Sequence, residues 1–160
     1  ASSGSLGHGL SLASGMALAG KIQHRQYKVF AILSDGECDE GSVWEAALVA
    51  SHRQLNNLIA IIDYNRLQAF GRTNQVVNLE PFKQKWQTFG WRVKMINGHN
   101  LIQIIKALNS PLSKTKPTVI ICRTVLGKGV SFMEDKLEWH YLNPTQAQFN
   151  QAIKELKFVL

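Results

Sequence analysis

Short apolar runs separated by polar turns recur along most of the chain. Residues 27–33 (YKVFAIL) and 57–63 (NLIAIID) are continuous β-prone runs of the kind that form buried strands. Residues 91–96 (WRVKMI) alternate between apolar and polar positions, and residues 117–122 (PTVIIC) form another buried run. The pattern therefore predicts four strands, most of them covered on both sides.

Helical patterns lie between and around these strands. Residues 4–20 mix Gly, Ser and Ala with Leu and Met, which is typical of a loop that runs into a closely packed helix. Residues 101–108 (LIQIIKAL) have helical spacing, and Asn143 and Pro144 are expected to be the N-cap and first residue of a last helix. The expected inner faces are Trp44, Ala47, Leu48, Ser51 and Leu55 in the helix after the first strand, and Phe149, Ala152, Ile153 and Leu156 in the last helix.

Strands that alternate with helices predict an α/β fold in which a parallel sheet carries helices on both faces. No internal repeat or linker interrupts the pattern, so we expect residues 1–160 to form one domain. Ligands of open α/β sheets bind outside the carboxyl ends of the strands. The loops SDGECDEG (34–41), YNRLQAFG (64–71) and LGKGVSF (126–132) follow predicted strands and should meet at one crevice.

Composition narrows the class of protein. With 45% hydrophobic and 18% charged residues, the chain is typical of globular proteins and not of disordered ones. It has neither an apolar run of roughly 18 to 20 residues nor a signal-peptide pattern, so we expect a cytoplasmic protein without membrane association. Cys38 and Cys122 lack metal-ligand spacing and fit reduced thiols. The net charge of +7 is scattered, which favours solubility or a phosphorylated ligand over nucleic acid.

An acidic loop is the first candidate for chemistry. Five carboxylates lie within residues 35–45, and Asp35 is beside Gly36 at a predicted strand end. Asn65 ends the next predicted strand, so one strand–helix–strand unit would bring its amide oxygen near the Asp35 carboxylate. Such hard oxygens, with a backbone carbonyl and diphosphate oxygens, suit magnesium or calcium. The structural alternatives are an ordinary Asp-Gly turn and an Asx turn at Asn65.

Four ordered motifs resemble a known family. DGECDEGSVWEA (35–46) and NLIAIIDYNRLQ (57–68) together resemble the thiamine diphosphate signature in its transketolase form. GSLGHGLSLASGMALA (4–19) and LGKGVSFMEDKLEWH (126–140) are similar to transketolase segments in the expected order. The resemblance implies the diphosphate-binding domain of a transketolase, with thiamine diphosphate and Mg²⁺ (or Ca²⁺) as cofactors.

The resemblance also implies roles for single residues. Asp35, the Asn65 side chain and the main-chain carbonyl of Leu67 would bind the cation. Gly36 would leave room for the diphosphate and donate its amide to it. Its neighbour Glu37 is counted among the cofactor-binding residues, but not among the metal ligands.

Further residues of the cofactor site come from the first and last motifs. Gly4 and Leu6 would border the aminopyrimidine and thiazolium rings, and Gly7 would permit the turn into the following helix. His140 would lie near the diphosphate and the reacting centre.

The remaining acidic residues divide into two pairs. Glu40 and Glu45 match catalytic acidic positions that link two active sites across the transketolase subunit interface, or else they solvate and cap a helix N-terminus. Glu37 and Asp39 are expected to be solvated. Lys128 is expected either to point at phosphate or to lie on a surface loop.

The chain departs from the family in several places. Ser34 replaces the first glycine of the usual Gly-Asp-Gly, and Tyr141 replaces the glycine after His140, which is expected to alter loop closure or the acceptor pocket. The upstream histidine segments and the pyrimidine-binding domain, which supplies the glutamate that activates the cofactor, do not occur in these 160 residues.

We therefore expect one subunit of a split transketolase, or a fragment of a longer one. It would work in a homo- or hetero-oligomer with a pyrimidine-domain partner and would transfer two-carbon ketol units between sugar phosphates. The alternatives are a deoxyxylulose-phosphate synthase, the alpha chain of an oxo-acid dehydrogenase, a non-catalytic regulatory protein on the same fold and, least favoured, a basic nucleic-acid-binding module.

Overall fold

A computed structural model describes residues 4–157. The helices and strands follow one another as α1 (Gly9–Ile22), β1 (Val29–Ser34), α2 (Gly41–His52), β2 (Leu58–Tyr64), β3 (Leu67–Gln68), β4 (Gly71–Arg72), α3 (Thr73–Val76), α4 (Phe82–Thr88), β5 (Arg92–Asn97), α5 (Leu101–Leu108), β6 (Thr118–Arg123) and α6 (Gln146–Lys157). Two short 3₁₀ helices, Gly36–Asp39 and Leu137–His140, lie in loops.

The four predicted strands form one parallel sheet in the order β1-β2-β6-β5. Each begins one or two residues later than the sequence pattern indicated. β1 pairs with β2 from Val29 opposite Leu58 to Ser34 opposite Asp63, so the two strands end side by side. The predicted α/β class is confirmed, and β1 and β2 are indeed neighbours.

Helices cover both faces of the sheet, but unequally. On one face α1, α2 and α4 enclose the main core, in which Phe82 and Trp86 are fully buried. On the other face α5 covers a smaller cluster at the β6 end of the sheet. Phe30 and Ile32 of β1 point to this second face and remain 49% and 76% exposed, because α5 does not extend over that strand.

Small side chains allow α1 and α2 to pack closely, as predicted. The two helices contact each other, and alanines of both are buried at the main core. Gly20 belongs to the same close packing, since a Cβ there would lie 2.7 Å from the Tyr27 ring. The buried alanines are Ala13 and Ala17 in α1 and Ala46, Ala47 and Ala50 in α2.

The predicted inner face of α2 is wrong in part. Its buried residues are Val43, Ala46, Ala47 and Ala50, whereas Leu48 is 56% exposed. The prediction gave weight to large apolar residues, but the close approach of α1 selects small ones. Leu55 is buried, although it lies after the end of the helix.

The last helix begins later than predicted. It starts at Gln146, and the residue before it, Thr145, replaces Asn143 as the capping residue. The Thr145 amide donates to Gln148 Oε1 at 2.9 Å, and the Gln148 amide lies 3.4 Å from Thr145 Oγ1, as in a capping box. The predicted inner-face residues are only partly covered, with Phe149 50% exposed.

Residues 67–88 were not assigned to any element from the sequence, yet they contain four. The β3–β4 hairpin has only two residues in each strand, and α3 has four residues, so neither shows a measurable hydrophobic period. Within residues 4–157, no helix is both long enough and apolar enough to cross a membrane.

Two isoleucines on neighbouring strands test the assignment of the two faces. We expect Ile62→Ala to lower the free energy of unfolding by about 2 to 5 kcal/mol, because Ile62 is fully buried. Ile32→Ala should cost less than about 1 kcal/mol, because its side chain is mostly exposed. Urea unfolding of both variants measures the difference, and equal losses would contradict the assignment.

Candidate functional site

Asp35 follows β1 directly and is fully buried. Its Oδ1 accepts a hydrogen bond from the Gly36 amide at 2.8 Å. Its Oδ2 accepts another from the Arg66 amide at 2.6 Å. The Asp35 carboxylate therefore joins the loop after β1 to the loop after β2, which is the meeting that the sequence predicted.

Asn65 lies beside Arg66 in that second loop and forms the Asx turn that was the structural alternative. Its Oδ1 accepts a hydrogen bond from the Leu67 amide at 2.8 Å. An amide oxygen has two lone pairs, so this bond leaves one for a further donor or a cation. The turn and the proposed ligand role are therefore compatible.

Asp63 is a site residue that the sequence analysis missed. Its Oδ2 accepts a hydrogen bond from Asn65 Nδ2 at 3.2 Å, which directs the amide oxygen of Asn65 away from it. Its Oδ1 accepts a hydrogen bond from Thr124 Oγ1 at the end of the neighbouring strand β6. The spacing of Asp63 and Asn65, two positions apart at a strand end, was the available signal.

The electrostatics of Asp35 favour a bound cation. Burial, as the larger cause, together with the nearby negative charge of Asp63, raises the pKa of the Asp35 carboxyl to about 6, against the lowering effect of its backbone hydrogen bonds. A buried carboxylate with raised pKa is stabilised in its ionised form when a cation replaces the lost water.

The loop of residues 4–7 lies against the acidic loop. The Gly7 amide donates to Glu37 Oε1 at 3.0 Å, and the Gly7 carbonyl accepts from Ser42 Oγ at 2.9 Å. Gly7 has φ +82° and is buried, and a Cβ there would lie 3.0 Å from the Glu40 Cβ. The structure thus brings together two segments that the resemblance assigned to the cofactor.

Glu37 and Asp39 are not solvated, so that expectation was wrong. Glu37 is buried because its side chain reaches back to the Gly7 amide. Asp39 is half-buried, and its Oδ2 accepts from Gln68 Nε2 at 2.8 Å. Ser34, the departure from Gly-Asp-Gly, supports this turn by accepting a hydrogen bond from the Glu37 amide at 3.0 Å.

Gly36 is needed for a close approach of two loops. A Cβ at this position would lie 2.8 Å from the Gln68 Cβ. Because β3 contains both Leu67 and Gln68, the glycine lets the strand with the third expected ligand lie directly on the acidic turn. The glycine therefore serves the protein's own packing as well as any ligand.

His140 lies in the 3₁₀ helix Leu137–His140, which contacts β3. The third loop therefore reaches the crevice, as expected. His140 and Tyr141 are both exposed, and their ring centroids are 6.4 Å apart.

The other sequence candidates lie on the surface. Glu40 occupies the N-cap position of α2, but its side chain makes no capping hydrogen bond, so the capping alternative is not supported. Glu45 is exposed on the same helix. Gly4 and Leu6 are exposed at the start of the described chain. Lys128 forms an ion pair with Glu134 at 2.6 Å.

The donor chemistry fits a hard cation. Residues 4–157 contain no group of three or more His, Cys, Asp or Glu side chains that would hold a metal ion by themselves. One carboxylate and one amide oxygen, with a carbonyl and diphosphate oxygens, suit Mg²⁺ and not a thiol-seeking metal. A complete coordination shell therefore requires a ligand that brings its own oxygens.

Together, the parallel sheet and the crevice at its carboxyl edge define an α/β protein that binds its ligand at the strand ends. The family model described as "Transketolase, thiamine diphosphate binding domain" matches residues 1–158, and the chain belongs to this family. The resemblance noted in the sequence is thereby confirmed.

Similar proteins support the same family. A 6-deoxy-6-sulfo-D-fructose transketolase subunit from Clostridium sp. (strain MSTE9) is 44% identical over 155 residues, which are 96% of this chain and 56% of that protein. One of the two subunits of an apulose-4-phosphate transketolase from Phocaeicola vulgatus is 44% identical over 154 residues, which are 96% and 55% of the two chains. The chain thus spans little more than half the length of these relatives.

A solved structure agrees with this assignment. The crystal structure of transketolase from Campylobacter jejuni has a TM-score of 0.91 and 30% sequence identity, and the match covers 97% of this chain and 26% of that one.

Glu37 provides a test of how the crevice is held together. We expect Glu37→Ala to lower the free energy of unfolding by about 1 to 3 kcal/mol, because the buried Gly7 amide loses its acceptor. Glu37→Gln should recover most of the loss, since its amide oxygen can accept the same bond. Glu138→Ala, at an exposed glutamate, is the control for urea unfolding. Equal losses in the Ala and Gln variants would refute the hydrogen-bond explanation.

Proposed function

We propose that the chain is the diphosphate-binding part of a thiamine diphosphate- and Mg²⁺-dependent transketolase. It would transfer a two-carbon ketol unit from a ketose phosphate to an aldose phosphate. The supporting observation is the buried Asp35 carboxylate, which is hydrogen-bonded to the loop that carries Asn65 and Leu67.

The protein's own residues would act mainly by binding and orientation. Asp35, the Asn65 side chain and the Leu67 carbonyl would hold the cation, and the Gly36 amide would face the diphosphate. Gly4, Leu6 and Gly7 would border the cofactor rings, with the backbone of Gly7 held by Glu37 and Ser42. When bound, thiamine diphosphate supplies an electron sink for cleavage of a carbon–carbon bond.

The catalytic residues we propose are His140 and the pair Glu40 and Glu45. His140 would approach the diphosphate and the substrate from the third loop. Glu40 and Glu45 are exposed on one side of the crevice, which leaves them available to a neighbouring subunit.

Catalysis would need a pyrimidine-domain partner. Asp35 and Asn65 provide a metal and diphosphate site, but a candidate for the glutamate that activates the aminopyrimidine does not occur in this sequence. Two of the similar proteins are named as transketolase subunits and are longer than this chain. We therefore propose that the cofactor is bound between this chain and its partner.

Calorimetry with the full-length protein tests the metal site. Thiamine diphosphate with Mg²⁺ should bind, and both Asp35→Ala and Asn65→Ala should weaken binding by about 100-fold. This is the upper end of the loss seen when even outer-shell partners of a metal are removed. Asn150→Ala, at an exposed asparagine of α6, should bind like the wild type.

Addition of a pyrimidine-domain subunit should then tighten binding and allow ketol transfer. Unchanged affinity in both site variants would reject the metal assignment. Tight binding without turnover of any ketose phosphate would reject the enzymatic proposal but leave the binding site in place.

The raised pKa of Asp35 predicts a pH dependence. In the metal-free protein its carboxyl should titrate near pH 6, because burial disfavours the ionised form. A cation competes with the proton, so Mg²⁺ with thiamine diphosphate should move the midpoint downward, and affinity should fall about tenfold per pH unit below about pH 6. The ¹³C carboxyl shift of Asp35 reports the midpoint, and Asn65→Ala should show a smaller displacement. A midpoint that does not respond to Mg²⁺ would count against coordination by Asp35.

A further inference from the structure

The segment that carries His140 is a compact unit, residues 126–140. The Asp135 amide donates to the Leu126 carbonyl at 2.9 Å and closes the turn at its base. Phe132 and Trp139 pack edge to face with ring centroids 5.1 Å apart. These contacts connect the turn to the 3₁₀ helix that ends in His140, so the segment can move or dock as one body.

A bidentate ion pair connects this segment to the hairpin of β3 and β4. Arg72 Nη1 donates to Asp135 Oδ1 at 2.9 Å, and Nη2 donates to Oδ2 at 2.7 Å. Arg72 is the cross-strand partner of Leu67 in the hairpin. The pair therefore joins the segment that carries His140 to the strand that carries the proposed carbonyl ligand.

The backbone at Asp135 restricts which residues can make this contact. Asp135 has φ +58°, a left-handed conformation that Asp and Asn tolerate better than other residues with a Cβ. An Asn at this position keeps the backbone preference and removes the charge. Asp135→Asn is therefore a clean test of the ion pair.

We propose that Arg72 and Asp135 are positioning residues, a clasp that holds the His140 segment against the metal-binding hairpin. The functional part of this inference rests on the proposed function, because His140 matters only if the crevice binds cofactor and substrate. The guanidinium fork matches the carboxylate with two parallel hydrogen bonds and so defines both distance and orientation.

The strength of the clasp follows from its exposure. The two side chains are 41% and 49% exposed, so solvent and salt screen the pair. Exposed pairs of this kind shift an equilibrium by about two- to fivefold. On its opposite side the segment is also held by Glu155 of α6, whose Oε2 accepts from the Ser131 amide at 2.6 Å. Loss of the clasp should therefore loosen the segment without unfolding it.

Hydrogen exchange of the full-length protein measures the clasp directly, in a double-mutant cycle. Arg72→Gln and Asp135→Asn should each accelerate amide exchange in residues 126–140 by about two- to fivefold, and the double variant should be no faster than either. The differences should disappear in 1 M NaCl. Additive effects, or effects that persist in high salt, would overturn the ion-pair clasp.

Kinetics of the assembled enzyme measure its consequence for the site. If the docked segment is the competent state, each single variant should raise the KM for the ketose donor by about two- to fivefold and leave kcat near the wild-type value. Glu134→Gln, which breaks an ion pair within the segment, is the matched control and should leave KM unchanged. Faster exchange with unchanged KM would overturn the positioning role.

The two proposals fail separately. Wild-type protein that does not bind thiamine diphosphate would reject the proposed function, whereas the exchange cycle would still report whether Arg72 and Asp135 are coupled.

Discussion

The hydrogen bond from the Arg66 amide to the Asp35 carboxylate is the interaction on which the crevice depends. It is short, at 2.6 Å, and it joins loops from two neighbouring strands through a buried charged group. A buried carboxylate is costly unless its oxygens are satisfied, and here two backbone amides supply part of that compensation. The raised pKa of Asp35 shows that the compensation is incomplete. The same residue therefore organises the loops and creates the demand for a cation that the proposed function uses.

Close approach of backbone segments is the second constraint. Gly36 lets β3 lie on the acidic turn, and Gly7 takes a left-handed conformation that places its amide on Glu37. The alanines of α1 and α2 bring these two helices together beneath the same loops. Because protein interiors are packed to crystal-like density, a side chain added at either glycine would displace a loop of the site. The crevice is thus held by packing as much as by hydrogen bonds.

The arrangement is that of an open half of a site. Glu40, Glu45 and His140 are exposed around the crevice, while the groups that shape it, Asp35 and Glu37, are buried. The chain belongs to the transketolase thiamine diphosphate-binding domain family and spans little more than half of two similar transketolase subunits. On the second face of the sheet, Phe30 and Ile32 are also left exposed. An exposed rim over a buried frame is consistent with the proposed partner domain.

The sequence by itself determined the α/β class, the four strands and the two strand ends that carry Asp35 and Asn65. Period-2 and buried-run patterns are local, and the carboxyl-end rule places strand-end residues together once the sheet is parallel. Only the tertiary structure decided that Glu37 and Asp39 are partly or wholly buried, because their partners, Gly7 and Gln68, lie about thirty residues away along the chain. It likewise decided the inner face of α2, the hairpin that contains Leu67 and Arg72, and the contact of Arg72 with Asp135. Such contacts depend on how loops meet in space, and no local period of the sequence encodes that meeting.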